Sequence, residues 1–77
     1  MQKDDVVYFC QIIPNCNIYE ILELKIRTVT EKWYVGVDEK TKQAQIFTED
    51  MIDQYVFTHR VDALEALRNF KARLEND

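Results

Sequence analysis

The chain has 77 residues, room for one domain (1–77) and one core, and folding at that length hides only about 60% of the unfolded surface. With 47% hydrophobic and 31% charged residues, and one Gly and one Pro, it is composed like a globular domain and unlike a disordered tail or a flexible linker. The net charge is −4, and it all arises in residues 1–57, which carry 6 basic and 10 acidic side chains against 4 of each in residues 58–77. This balance disfavours direct binding of nucleic acid, which needs a positive face; it allows docking on a basic protein surface, or serves solubility alone.

The opening residues Met1 to Asp5 are polar and acidic rather than a basic and then apolar leader, and apolar runs such as Val6 to Cys10 are too short to span a bilayer. Two cysteines, Cys10 and Cys16, are too few for a disulfide-dense secreted scaffold. The expectation is a cytoplasmic protein with no membrane association.

In chain order, Val6 to Ile13 is a β-branched and aromatic run ending at Pro14, as in a buried strand. Pro14-Asn15-Cys16-Asn17 supplies turn chemistry. From Ile18 to Thr30 the apolar Leu22, Leu24 and Ile26 alternate with Glu23, Lys25 and Arg27, which predicts a half-buried strand. If Ile13 pairs with Ile18 across the turn, Cys10 lies opposite Ile21, and no disulfide to Cys16 forms.

Glu31-Lys32 turns the chain into a strand over Trp33 to Asp38, where Trp33, Val35 and Val37 share one face and Gly36 lies on the other. After the polar turn Asp38 to Lys42, Gln43 to Phe47 returns. The acidic segment Thr48 to Asp53 fits one helical turn capped by Thr48, and Tyr55 to Phe57 is a further hairpin element. The period then changes. Val61, Leu64, Leu67, Phe70 and Leu74 recur at helical spacing, predicting one amphipathic helix over 60–75, with Thr58 or His59 at its cap and Asp62 near its positive end. The expected fold is α+β: a strongly bent antiparallel sheet over 6–57, an SH3-like barrel of about five strands, followed by one C-terminal helix.

The sequence offers little for catalysis. Structural zinc needs four ligands in spaced pairs, and only Cys10, Cys16 and His59 are at hand besides carboxylates. Cys10 reads as a core residue and Cys16 as a surface thiol. There is no serine, and the one histidine sits at a helix start, where its charged form is disfavoured. The acidic runs lack the alternating ligands and turn glycine of a calcium loop, and the sole glycine, Gly36, leaves no phosphate loop. No cofactor and no metal are expected.

Binding surfaces are what remain. The adjacent rings Tyr8-Phe9 and Trp33-Tyr34 must send one ring to each face of the sheet, which makes Tyr8, Tyr34 and Tyr19 candidates for an exposed aromatic patch, unless the helix or a twin subunit covers that face. The carboxylates of Glu20, Glu23, Asp38, Glu39, Glu49, Asp50 and Asp53 form the candidate acidic surface, with Met51 and Ile52 as apolar anchors of the last group.

From Trp33 onward the chain resembles a loose group of very small, uncharacterised phage and prophage proteins. The likeness rests on Trp33-Tyr34-Val35-Gly36-Val37-Asp38, the turn Lys40-Thr41-Lys42, and Val56-Phe57-Thr58-His59-Arg60-Val61-Asp62-Ala63-Leu64. In that group a strand ending in Val-Phe enters a helix through a polar cap, an Arg, an acid and an Ala; here His59 stands where Thr or Asn usually caps. The match covers a little over half of the chain, and its motif is structural. It implies a mobile-element origin and a small sheet-plus-helix fold. Small acidic proteins of such genomes are often inhibitors of host defence nucleases, anti-CRISPR proteins among them, that occupy basic nucleic-acid channels.

The leading expectation is therefore a non-enzymatic inhibitor or adaptor that binds a host or phage protein. The alternatives are an assembly module or homodimer joined through the Tyr8/Tyr34 face, a nucleic-acid-touching regulator using Lys25, Arg27 and Lys32, and, last, a cysteine-dependent enzyme.

Overall fold

A computed structural model describes residues 1–75. Five strands, β1 (Val6–Ile13), β2 (Ile18–Val29), β3 (Trp33–Val37), β4 (Ala44–Thr48) and β5 (Val56–Phe57), precede one helix, α1 (Arg60–Glu75). The strands form a single antiparallel sheet in the order β4-β3-β2-β1-β5, curled into a half-barrel compatible with an SH3-like arrangement. The α+β expectation of a bent antiparallel sheet with a C-terminal helix holds.

The β1–β2 hairpin follows directly from its residues. Pro14 starts a 3₁₀ turn through Cys16, and Asn17 closes it in the left-handed region at φ 54°, a conformation Asn tolerates better than most residues. The turn sets Ile13 against Ile18 and carries the register back through Cys10 against Ile21 to Val6 against Lys25. Both cysteines are free, Cys10 buried and Cys16 exposed.

The strand period of two sends β1 into two cores. On one face Val7 meets Leu24, Ile26, Tyr34, Phe47 and Val56, with Phe9, Leu22, Met51 and Ile52 at the margin. On the other, Cys10 meets Phe57 and Ala63, and Tyr8, Ile12, Ile21, Ala66 and Leu67 surround them. The half-barrel closes on the first core. The helix covers the second. β5 shares the same logic, with Val56 in one core and Phe57 in the other.

Four expectations change. Tyr55 to Phe57 is not a hairpin partner of the preceding strand: β5 crosses to the far side of β1, setting Phe57 against Tyr8 and Val56 against Phe9. The β3 face is reversed, since Tyr34 is buried, stacked on Phe47 with ring centroids 5.4 Å apart, while Trp33 is 43% exposed. The phenol of Tyr34 donates to Glu49 at the rim (3.5 Å), so the ring is buried without stranding its hydroxyl. Thr48 precedes the 3₁₀ turn Glu49–Met51, but its side chain makes no capping hydrogen bond.

The fourth change concerns α1, which packs through Ala63, Ala66, Leu67 and Phe70, whereas Val61, Leu64 and Leu74 are exposed. The small side chain of Ala63 lets the helix backbone approach the sheet closely enough for the Cys10 Sγ to donate to the Ala63 carbonyl at 3.4 Å. His59 stands at the cap position, its carbonyl accepting the amides of Asp62 and Ala63.

Gly36 explains why β3 turns this face inward. A Cβ built there would lie 2.9 Å from the Leu24 Cβ, so the sheet meets its own core at a position only glycine fills. Gly36→Ala is expected to cost about 1–3 kcal/mol by overpacking. Ile46→Ala, on the 68%-exposed neighbour strand position, should stay within about 0.5 kcal/mol. Urea denaturation midpoints of the two variants decide the matter, and equal losses would overturn the close-approach argument.

Candidate binding grooves

The seven carboxylates expected to make one acidic surface are distributed over the molecule. Glu20 and Glu23 are three residues apart on β2, so they project from opposite faces of the sheet. Glu23 lines a cleft of about 670 Å³ with Asp4, Asp38 and Glu39, where Lys25, Lys40 and Arg60 also lie. Four acids against three bases leave this cleft close to neutral, and Lys25 pairs with Glu39 at 3.6 Å. Both side chains of that pair are well solvated, so it adds little to stability. Asp38 has structural work as well: its carboxylate accepts the amides of Lys40 and Thr41 and shapes the β3–β4 turn.

Glu49, Asp50 and Asp53 lie on the β4–β5 connection. Met51 and Ile52 between them anchor it on the first core, as their apolar character suggested. Asp53 adopts φ 68° and begins a second groove, of about 560 Å³, between this connection and α1. Asp62 and Glu65 from the helix join Asp53 there, against the single cation Arg73. This groove has the larger excess of negative charge.

Aromatic side chains line the same groove. Tyr55 and Phe70 stack with centroids 5.2 Å apart and planes 6° from parallel, and the guanidinium of Arg73 lies 5.6 Å from the Phe70 centroid. A cation over an aromatic ring is an arrangement that electrostatics favours, here in a groove that carboxylates also line. Asp62 and Glu65, like Tyr55 and Phe70, were not grouped by sequence reasoning. The signal was present, because Asp62, Glu65, Asn69 and Arg73 share a flank of the helix by their three- and four-residue spacing.

The expected aromatic patch does not form. Tyr34 is a core residue, and Tyr8 is half-buried beneath the helix. Tyr19 is also half-buried, with the Lys71 ammonium 5.9 Å from its ring. Lys25 is engaged with Glu39, and Arg27 sits beside the register shift between Ile26 and Thr28.

Among the described residues no three His, Cys, Asp or Glu side chains gather as they would around a metal ion, and no helix is long and apolar enough to cross a membrane. Burial raises the pKa of Cys10 above its ordinary 9.0, so the thiolate is scarce at neutral pH. In comparisons with known proteins, the chain matches no family model, no curated protein and no solved structure.

The two thiols should therefore separate cleanly. In the folded protein at pH 8, iodoacetamide is expected to label Cys16 readily and leave Cys10 protected until denaturant is added; equal labelling rates would contradict the packing of Cys10 under α1. The same burial has a signed effect on stability. A folded pKa above the unfolded one favours the protonated thiol in the native state, so this contribution is intact below about pH 9 and declines at higher pH. Cys10→Ala should flatten that alkaline decline in a series of urea titrations.

Proposed function

We propose that this chain is a non-enzymatic protein-binding module that takes a basic segment of a partner protein into the groove between α1 and the β4–β5 connection. The observation that carries the reading is that Asp53, Asp62 and Glu65 line one groove together with the stacked Tyr55–Phe70 pair. Carboxylates at the walls would hold an ammonium or guanidinium, and the aromatic faces would receive its stem or plane. Arg73 over Phe70 is an intramolecular instance of the same contact.

In its inhibitor form, the basic segment belongs to the nucleic-acid channel of a host defence nuclease, and the acidic groove stands where phosphates would lie. The negative body supports this version, since complementary charge accelerates encounter with a basic channel. The phage-protein resemblance of residues 33 onward belongs to the same proposal, as does residence in a bacterial cytoplasm.

The test uses a fluorescein-labelled arginine-rich peptide and anisotropy at several salt concentrations. Salt-sensitive binding is expected, weakened roughly tenfold or more in the triple variant Asp53→Asn, Asp62→Asn, Glu65→Gln. Neutralising Glu23, Asp38 and Glu39 on the other cleft is expected to change affinity by less than about threefold. Equal losses in the two triple variants would show attraction to net charge rather than to the groove, and would sink the proposal.

A further inference from the structure

The sheet has two edges, and they differ. β5 is two residues long and is followed at once by the helix that packs beside it. β4 presents five residues, Ala44-Gln45-Ile46-Phe47-Thr48, and among the described residues no strand lies on its outer side. Sheet edges are usually blunted by charge, proline or a bulge. β4 contains none of these: it has no charged residue and no proline, and its pairing with β3 runs without a register shift.

The outward backbone groups can be identified. The Asp38 amide donates to the Gln43 carbonyl at 2.9 Å, which makes 38 and 43 a hydrogen-bonded pair next to the ladder. Antiparallel ladders alternate, so Gln45 and Phe47 also turn their backbones toward β3, while Ala44, Ile46 and Thr48 turn theirs outward. The Trp33 carbonyl accepts from the Thr30 amide on the β2 side, as this phase requires of the residue paired with Thr48.

We propose that this edge joins a second copy of the chain, β4 against β4 in antiparallel register about a two-fold axis through the Ile46 pair, to give a continuous sheet across the dimer. With Ile46 opposite its counterpart, Ala44 faces Thr48 of the partner copy, and every outward donor and acceptor finds a mate, about six backbone hydrogen bonds in all. Registers displaced by two residues would leave one outward residue of each copy unpaired. The flanks are complementary in the same register. Lys42 ends the β3–β4 turn at one end of the strand, Glu49 and Asp50 follow it at the other, and the two-fold axis sets Lys42 of each copy against Asp50 of its partner. Ile46, 68% exposed, gains an apolar neighbour, and Trp33 and Val35 lie on the same face behind it. This self-complementarity selects a second copy over an unrelated strand.

A five-residue edge is a small interface, so the dimer should be of the weak, concentration-dependent kind. Sedimentation equilibrium of the full chain from about 1 to 500 µM is expected to pass from monomer to dimer. Emission of the single tryptophan, Trp33, should shift to the blue over the same range. Ile46→Lys places a charge on the edge at a solvent-exposed position. It is expected to remain monomeric throughout, with an unchanged circular dichroism spectrum. Lys42→Glu and Asp50→Lys should each weaken association roughly five- to tenfold, because the pair occurs twice, and the double variant should restore it. A monomer at every concentration, or a dimer indifferent to Ile46→Lys, overturns the proposal; failure of the double variant to restore what the singles lose overturns the register. None of these measurements depends on Asp53, Asp62 or Glu65 of the groove.

Discussion

The β1–β2 ladder is the constraint on which the rest of the molecule depends. β1 is apolar on both faces, and a strand of that kind must be covered on both. β2 supplies one neighbour for its backbone, and its long second half gives β3 and β4 a template on which to curl over Val7 and Leu24. β5 supplies the other neighbour, and with it the point from which α1 can fall across Cys10 and Ile21. In a domain of this size neither core alone is large. Sharing β1 between them makes the loss of either a loss to both.

Much of this frame was legible in the residues. The alternation in Leu22 to Arg27, the Pro-Asn turn and the pairing of Cys10 with Ile21 need only strand geometry, and the structure repeats them. What failed was the choice of inward face where both faces carry apolar side chains. In β3 the larger set, Trp33, Val35 and Val37, looked like the core. Yet the crowded side is the one where Leu24 presses on Gly36, so the glycine marked the inner face and Tyr34 went with it. The bulge at Arg27 lies in the partner strand, so the phase of β2 could not be carried forward to settle the question.

The helix stands where the residues place it, over Arg60–Glu75, and only its buried stripe differs, for a related reason. Apolar residues at 61, 63, 64, 66, 67, 70, 72 and 74 admit two overlapping stripes, and hydrophobicity favours the one with the larger side chains. Packing chose the other because close approach to the sheet demanded alanine at the contact, with Leu67 and Phe70 filling the space beyond it. Composition alone does not place the acidic groups, because the period of the strand separates Glu20 from Glu23 and the turn of the helix sets Asp62 and Glu65 along the groove that Asp53 also lines.

These packing choices also decide what is left over for recognition. The inward turn of Tyr34 and the covering of Tyr8 remove the aromatic face that sequence reasoning had offered, so recognition by the sheet, if it occurs, must use its edge or the solvent side of β3 and β4. Because α1 packs along β1, β2 and β5, the same placement that builds the groove over Tyr55 and Phe70 leaves Trp33, Val35 and Ile46 without a covering element. The two surfaces differ in physics: one is charged and aromatic and its attraction is screened by salt, the other is apolar with unpaired backbone groups and persists at high ionic strength. Among the described residues there is one α-helix, and it cannot cover both halves of a five-stranded sheet. Placing that helix over β1 protects the strand whose exposure would unfold the domain, and leaves uncovered the strands whose exposure can be tolerated or used.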